Sequence, residues 1–241
     1  MKILKIVFLL SSILFQSCKM TETQLAVSSV PLVSTEVLKS YSLGILDSHI
    51  KNTYVYNAQF KVSSITELNV LTNANTTTTF DYTMPNQVKE TRGTFVKTYL
   101  LNPSGIAFQV QAGSQILNTF TYNSANNLLT DNDGQQLKTN TYLNNNLAKN
   151  IVTNSNNQIM DGYNYGYVTQ LNTIGNDNKG MSFLGKSSVN FINSKSRTAG
   201  NPLHIYNYLS SYDANNRLTD YNWTRLGGNQ AASFQANYTY Y

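Results

Sequence analysis

Two histidines, His49 and His204, and a single cysteine, Cys18, are most of what this 241-residue chain offers to reaction chemistry. No nucleophile elbow, zinc pair or phosphate-binding glycine loop accompanies them. His204 with Asp213 and a serine would be raw material for a triad, but the spacing does not ask for one. In the row His204, Tyr206, Tyr208 the histidine reads as one side chain on one face of a strand. A hydrolase is the third reading at best, and the sequence points away from an enzyme. Asp131-Asn132-Asp133-Gly134 offers oxygen ligands of the kind calcium takes. Leu129 stands where another ligand is needed, and the distal bidentate glutamate is missing. Asp-Gly as a hairpin turn accounts for the same residues. No metal and no cofactor is implied.

Aromatic rows are the richer signal. Alternation puts Tyr163, Tyr165 and Tyr167 on one face, and likewise Tyr206 with Tyr208, and Phe234 with Tyr238 and Tyr240. Tyr221, Trp223 and Arg225 form a further row, with Leu218 and Leu226 marking the opposite face as the apolar one. Rings beside polar groups stack on sugars or peptides, whereas rings on a half-wet sheet face also pack across strands with their hydroxyls in water. Both readings stand for the single tyrosines. Tyr221, Trp223, Arg225, Tyr206 and Tyr208 are the candidate ligand-binding residues.

The address is written at the N-terminus. Lys2 and Lys5 precede an apolar run, Ile6 to Phe15, too short to span a bilayer as an ordinary helix. Leu14-Phe15-Gln16-Ser17-Cys18 then looks like a lipobox, with a small residue just before the cysteine. Cys18 has no second cysteine to pair with, and acylation gives a lone thiol of an exported protein a use. The expected organisation is a lipoprotein signal peptide over 1–17, a lipidated tether over 18–40 and one domain over 41–241. Cleavage removes two lysines and lowers the formal charge from +5 to +3. With no basic cluster, nucleic acid is not an expected partner; lipid on Cys18 would hold the protein at the outer membrane. Lys19 gives no acidic inner-membrane retention cue. Which face of that membrane it occupies, and its oligomeric state, are open.

Composition sets the fold class. The chain has 33 asparagines and 17 tyrosines, with only 12 % charged residues. Tyr and Thr favour strands, and Asn favours turns at positive φ. One phrase recurs: strand end, Asn-rich turn, strand start. It is clearest at Tyr212-Asp213-Ala214-Asn215-Asn216-Arg217-Leu218-Thr219, with echoes at 99–106, 120–128, 142–147 and 153–159. Intervals near ten or twenty residues mean hairpins in series. Strand signals begin near Tyr54; Val37 to Ile50 has spacing compatible with a helical turn or two, weakened by Gly44. From about 174 to 203 alternation fails, with Val189 to Ile192 as a short helix or strand inside. So long an irregular stretch is functional or a cover for exposed sheet. The reading is all-β: a long antiparallel meander of more than ten strands, curled into an open or partial barrel.

The phrase Tyr-Asp-x-x-Asn-Arg-Leu-Thr at 212–219, with its echoes and the terminal Asn237-Tyr238-Thr239-Tyr240-Tyr241, resembles the YD repeats of Rhs-type proteins. It resembles more closely a family of uncharacterised Bacteroidota lipoproteins built from such hairpins, with Asp177-Asn178-Lys179-Gly180-Met181-Ser182-Phe183 standing where that family begins a long excursion. The resemblance implies the hairpin sheet and no particular activity. Together these readings give a non-enzymatic envelope module that binds or carries a glycan, peptide or lipid, or a structural, protein-interaction component with no small ligand.

Overall fold

The computed structural model describes residues 30–200, 204–226 and 232–241. The signal peptide, Cys18 and the stretch to residue 29 lie outside the described residues. The described residues form sixteen strands: β1 (Val33–Ser42), β2 (Ile45–Tyr56), β3 (Val62–Asn69), β4 (Ala74–Asp81), β5 (Gln87–Arg92), β6 (Phe95–Leu101), β7 (Ala107–Ala112) and β8 (Gln115–Tyr122). There follow β9 (Leu128–Asn132), β10 (Gln136–Leu143), β11 (Asn146–Asn154), β12 (Ile159–Leu171), β13 (Asn190–Ala199), β14 (Ile205–Tyr212), β15 (Leu218–Leu226) and β16 (Ala232–Tyr240). Each is antiparallel to its chain neighbour, and β1 also pairs with β16, from Val33↔Tyr240 to Ser42↔Ala232.

That pairing overturns the open or partial barrel: the sheet closes completely and has no free edge. Closure abolishes the unpaired rows of N–H and C=O groups that an open meander exposes. The wall also begins earlier than the strand signals suggested. Val37 to Ile50 belongs to β1 and β2, not to helical turns, and β1 occupies the last part of the stretch read as tether.

The turns explain the asparagine content. Five corners share one geometry: Asn57, Asn102, Asn123, Asn154 and Asp213 each accept two backbone N–H bonds, from the residues two and four positions on, at 2.8–3.1 Å. The residue three positions on sits at positive φ in every case: Phe60, Gly105, Asn126, Asn157 and Asn216, at 58–75°. Short polar side chains replace the missing ladder bonds, so the corner is a self-contained stop. After four of these corners the chain re-enters the wall with an inward apolar residue: Val62, Ala107, Leu128 or Leu218, all but Leu128 fully buried.

Residues paired across strands share a face, which sorts the whole wall. Inward go Glu36, Tyr54, Phe80, Tyr99, Phe120, Lys138, Asn140, Tyr163, Tyr165, Tyr206, Trp223, Phe234 and Tyr238 with their register partners. Outward go ladders such as Thr53–Thr66–Thr77, Thr79–Thr91, Thr121–Thr130–Thr139 and Asn222–Gln235. Single apolar residues such as Val37, Ile151 and Leu209 interrupt this outer face. Other exposed large apolar side chains cluster at or beside turns, as at Leu43, Ile45, Phe60, Leu71, Met84 and Leu143. The stacked rings are inside and the threonine ladders outside.

Candidate functional site

The excursion is shorter than the sequence suggested. It runs over 172–189, because 190–199 is β13. It does not cover a sheet edge, since the closed sheet has none; it caps one end of the barrel. Thr173 Oγ1 accepts the Leu218 N–H at 2.9 Å and lies 3.0 Å from the Tyr240 hydroxyl. The Asn178 and Gly180 carbonyls accept the N–H groups of Val33 and Val62, and the Lys186 and Val189 N–H groups donate to Asn126 and Asn145. Phe183, in a one-turn 3-10 helix over Ser182–Leu184, is buried among Phe80, Tyr82 and Tyr99. The segment is therefore tied to strands right around the circumference.

Two glycines permit the close approach. A Cβ at Gly180 (φ +66°) would meet the Val62 nitrogen at 2.6 Å, and one at Gly185 (φ +80°) the Tyr122 ring at 2.5 Å. Both positions combine a left-handed backbone with no room for a side chain.

Clefts of about 390 and 260 Å³ lie against this cap on the lumen side. The smaller lies between Leu184, Phe183 and Met181 of the cap and the wall of β2 to β6. Ions in and beside it are paired: Glu36 with Lys179 at 2.8 Å, Glu67 with Arg92 at 2.8 Å and Glu90 with Lys97 at 3.4 Å. Burial would raise the Glu36 carboxyl, but the Lys179 ammonium and the donors Asn52 and Tyr54 hold it below its ordinary value. The larger cleft lies between the cap and β9 to β13, and reaches Tyr221.

The five residues singled out from the sequence come together on one stretch of inner wall. Tyr206 meets Trp223 edge-on at 5.1 Å, Trp223 stacks on Phe234 at 5.7 Å, and Tyr208 lies 6.1 Å from Tyr221. Arg225 pairs with Tyr206 in the register. The face assignment of Leu218 was different: a bulge between Ser211 and Tyr212 turns Leu218 inward with Tyr221, and only Leu226 points out. No apolar face backs this row; the aromatic row is itself the lumen side. Lys195 extends it, with its ammonium 3.8 Å from the Tyr163 ring and 5.2 Å from that of Tyr206. Asp161 pairs with Arg197 at 2.8 Å beside them.

Sequence reasoning passed over Lys138, Asn140, Asn150, Tyr142 and Lys186. Their signal was present: Lys138, Asn140 and Tyr142 alternate with Leu137, Thr139 and Thr141, but a polar residue on an inward face looks like a turn former in a chain so rich in asparagine. Burial pushes the Tyr142, Tyr163 and Tyr221 hydroxyls up to about 12. At neutral pH these groups donate and accept hydrogen bonds and do not act as bases.

Catalysis has no seat among the described residues. His204 is buried edge-on against Tyr206 at 5.1 Å. It enters β14 at one end while Asp213 leaves at the other, roughly 30 Å away at strand rise, so they form no triad. Asp131 and Asn132 end β9, and Asp133-Gly134 makes the hairpin turn, with Gly134 at φ +84° and its N–H donating to the Asn132 side-chain oxygen. No group of three or more metal-ligating side chains occurs among the described residues.

A capped, sixteen-stranded antiparallel barrel with a polar, aromatic lumen is thus the class of protein that the geometry defines. Among solved structures, a porin-like protein from Bacteroides uniformis ATCC 8492 is similar at TM-score 0.63 and 16 % identity, over 87 % of this chain and 96 % of that one. A porin-like protein from Bacteroides vulgatus ATCC 8482 is similar at TM-score 0.53 and 11 % identity, over 88 % and 99 %. No family model and no curated protein matches the chain. These likenesses share the fold. They replace the resemblance to YD-repeat lipoproteins: the hairpins are those of a closed porin-like barrel, not of a YD-repeat sheet.

Proposed function

We propose that the protein is a non-enzymatic binding module of the cell envelope, held at the outer membrane by lipid on Cys18, which takes a glycan, peptide or lipid into its lumen. The observation that carries this reading is the lumen itself. The segment 172–189 is tied across one end, and the wall above it presents rings and ions inward. An obstructed end favours retention over free passage. The aromatic row Tyr206, Tyr208, Tyr221 and Trp223, with Arg225, supplies stacking faces and one cation for the ligand.

The outer face supports the lipid anchor as the means of attachment. A wall that crosses a bilayer carries an apolar band about 25 Å tall, whereas this wall carries threonine, serine, asparagine and lysine ladders. The chain enters the wall at the capped end, where Asn178 holds the Pro31 carbonyl.

Trp223 is the only tryptophan in the chain, so its fluorescence reports the lumen. Titration with envelope glycans, peptides and lipids is expected to give a saturable change with one class, and calorimetry, which needs no tryptophan, should show Trp223→Ala binding that ligand at least about tenfold more weakly, equivalent to about 1.4 kcal/mol, without unfolding. No response to any class would favour a structural or protein-interaction component with no small ligand.

A further inference from the structure

Charge is distributed unequally around the lumen. On the β2 to β6 side every lysine and arginine facing in is paired. Against the larger cleft, Lys138 and Lys186 line the wall and the cap, and Lys195 stands close by, yet none of the three is in an ion pair among the described residues. Asp131 faces Lys138 in the register, but its carboxylate accepts from Asn118 at 2.8 Å. Burial holds Lys195 below the ordinary ammonium range against the pull of Asp161, and Lys138 and Arg197 add to the depression. The region is short of negative charge.

A second observation comes from the same place. Asn140 and Asn150 face each other across β10 and β11 and are 5 % and 6 % exposed. The Asn140 amide donates to the Leu128 carbonyl at 2.9 Å, but both side-chain carbonyl oxygens lack a partner among the described residues. Two buried acceptors without donors cost about 1–3 kcal/mol each, and Asn140 lines the cleft. Tyr142 and Tyr165 line it too.

Resting on the lumen-binding reading, we infer that this cleft is a site for a carboxylate-bearing sugar. The ammonium groups of Lys138 and Lys186 would take the carboxylate, through charge-assisted bonds stronger than neutral ones. The Asn140 carbonyl needs a donor, which a sugar hydroxyl supplies and a simple carboxylate does not. Tyr142 and Tyr165 present rings against which a sugar face packs. The volume, about 390 Å³, is that of a small-ligand site.

Calorimetry on the mature protein with a galacturonic acid dimer and the neutral galactose dimer separates the outcomes. The acidic dimer is expected to bind about tenfold or more tighter. Lys138→Gln and Lys186→Gln should each remove most of that preference, weakening the acidic dimer far more than the neutral one. Asn140→Leu should weaken both dimers, with folding checked by urea denaturation. Equal affinity for the two dimers, with binding lost in Trp223→Ala, overturns the acidic-sugar assignment and leaves the lumen reading standing. A simple dicarboxylate that binds as tightly as the acidic dimer removes the sugar from the assignment. Absence of binding by both dimers overturns it as well, and a fluorescence response to peptides or lipids then decides whether lumen binding survives.

Discussion

Asp213 stops one strand by accepting the backbone N–H groups of Asn215 and Arg217, and it holds the Arg217 guanidinium at 2.7 Å besides. Four asparagines do the first task at the other corners, so the turn needs the side-chain oxygen and not the charge. Asn123, which accepts from Ala125 and Asn127, tests this cleanly. Asn123→Ala is expected to destabilise by about 1–2 kcal/mol in urea denaturation, one modest bond at a time, while Asn123→Asp should be close to neutral. Glu36 tests the opposite case, where charge matters. Its carboxyl is held below the ordinary value by Lys179, Asn52 and Tyr54 despite burial. A depressed folded pKa contributes stability that is present above the unfolded carboxylate value of about 4.3 and lost as pH falls through the folded value. Lys179→Met should therefore cost about 2 kcal/mol at pH 7. The gap between variant and wild type should narrow in acid, and a gap that stays constant down to pH 3 would refute the linkage.

At the scale of elements, the cap and the wall are separable. Backbone and side-chain bonds tie 172–189 to the rim, but the wall closes through its own ladders without it. Gly185→Val places a branched side chain where a Cβ already meets the Tyr122 ring at 2.5 Å and the Asn126 carbonyl at 2.8 Å. It is expected to unseat the cap: amide exchange at Lys186 and its neighbours should quicken while the strands keep their protection. Equal loss of protection in both would show that the wall depends on the cap. The same separation explains what the sequence made legible. Hairpin corners announce themselves locally through asparagine, and in the stretch Thr77 to Tyr82 Thr77 and Thr79 face out while Phe80 and Tyr82 face in. In β1, however, the inward row is Glu36, Leu38 and Ser40, so polarity does not alternate, and Val37, Leu38 and Tyr41 mimic a helical turn. The row Tyr206, Tyr208, Tyr221 and Trp223 was legible because rings alternate visibly. Lys138, Asn140 and Lys186 were not, because a charged lumen reverses the usual sense of inside and outside. Closure had no local signal at all, since it depends on β1 meeting β16 at the far end of the chain.

For the molecule as a whole, the decisive asymmetry is between its two surfaces. In a barrel that spans lipid, strand residues facing out are apolar and those facing the lumen are polar. Here the outward ladders are Thr53–Thr66–Thr77, Lys89–Thr98 and Asn222–Gln235, and stacked rings lie within. Placing such a wall in hydrocarbon would bury many hydroxyls and amides without partners, at a cost of at least about 1 kcal/mol each, whereas water satisfies them. Outward apolar residues such as Val37, Ile151, Leu209 and the paired Ile205 and Leu226 are interspersed among these polar ladders. Residues 30–241 alone are therefore expected to stay monodisperse in buffer without detergent, with the β-rich circular dichroism of the full chain. The full chain should sediment with membranes, and Cys18→Ala should shift it to the soluble fraction. If the shortened chain needs detergent, or if Cys18→Ala stays with the membrane after an alkaline wash, the strands themselves are in lipid and the polar-wall argument fails.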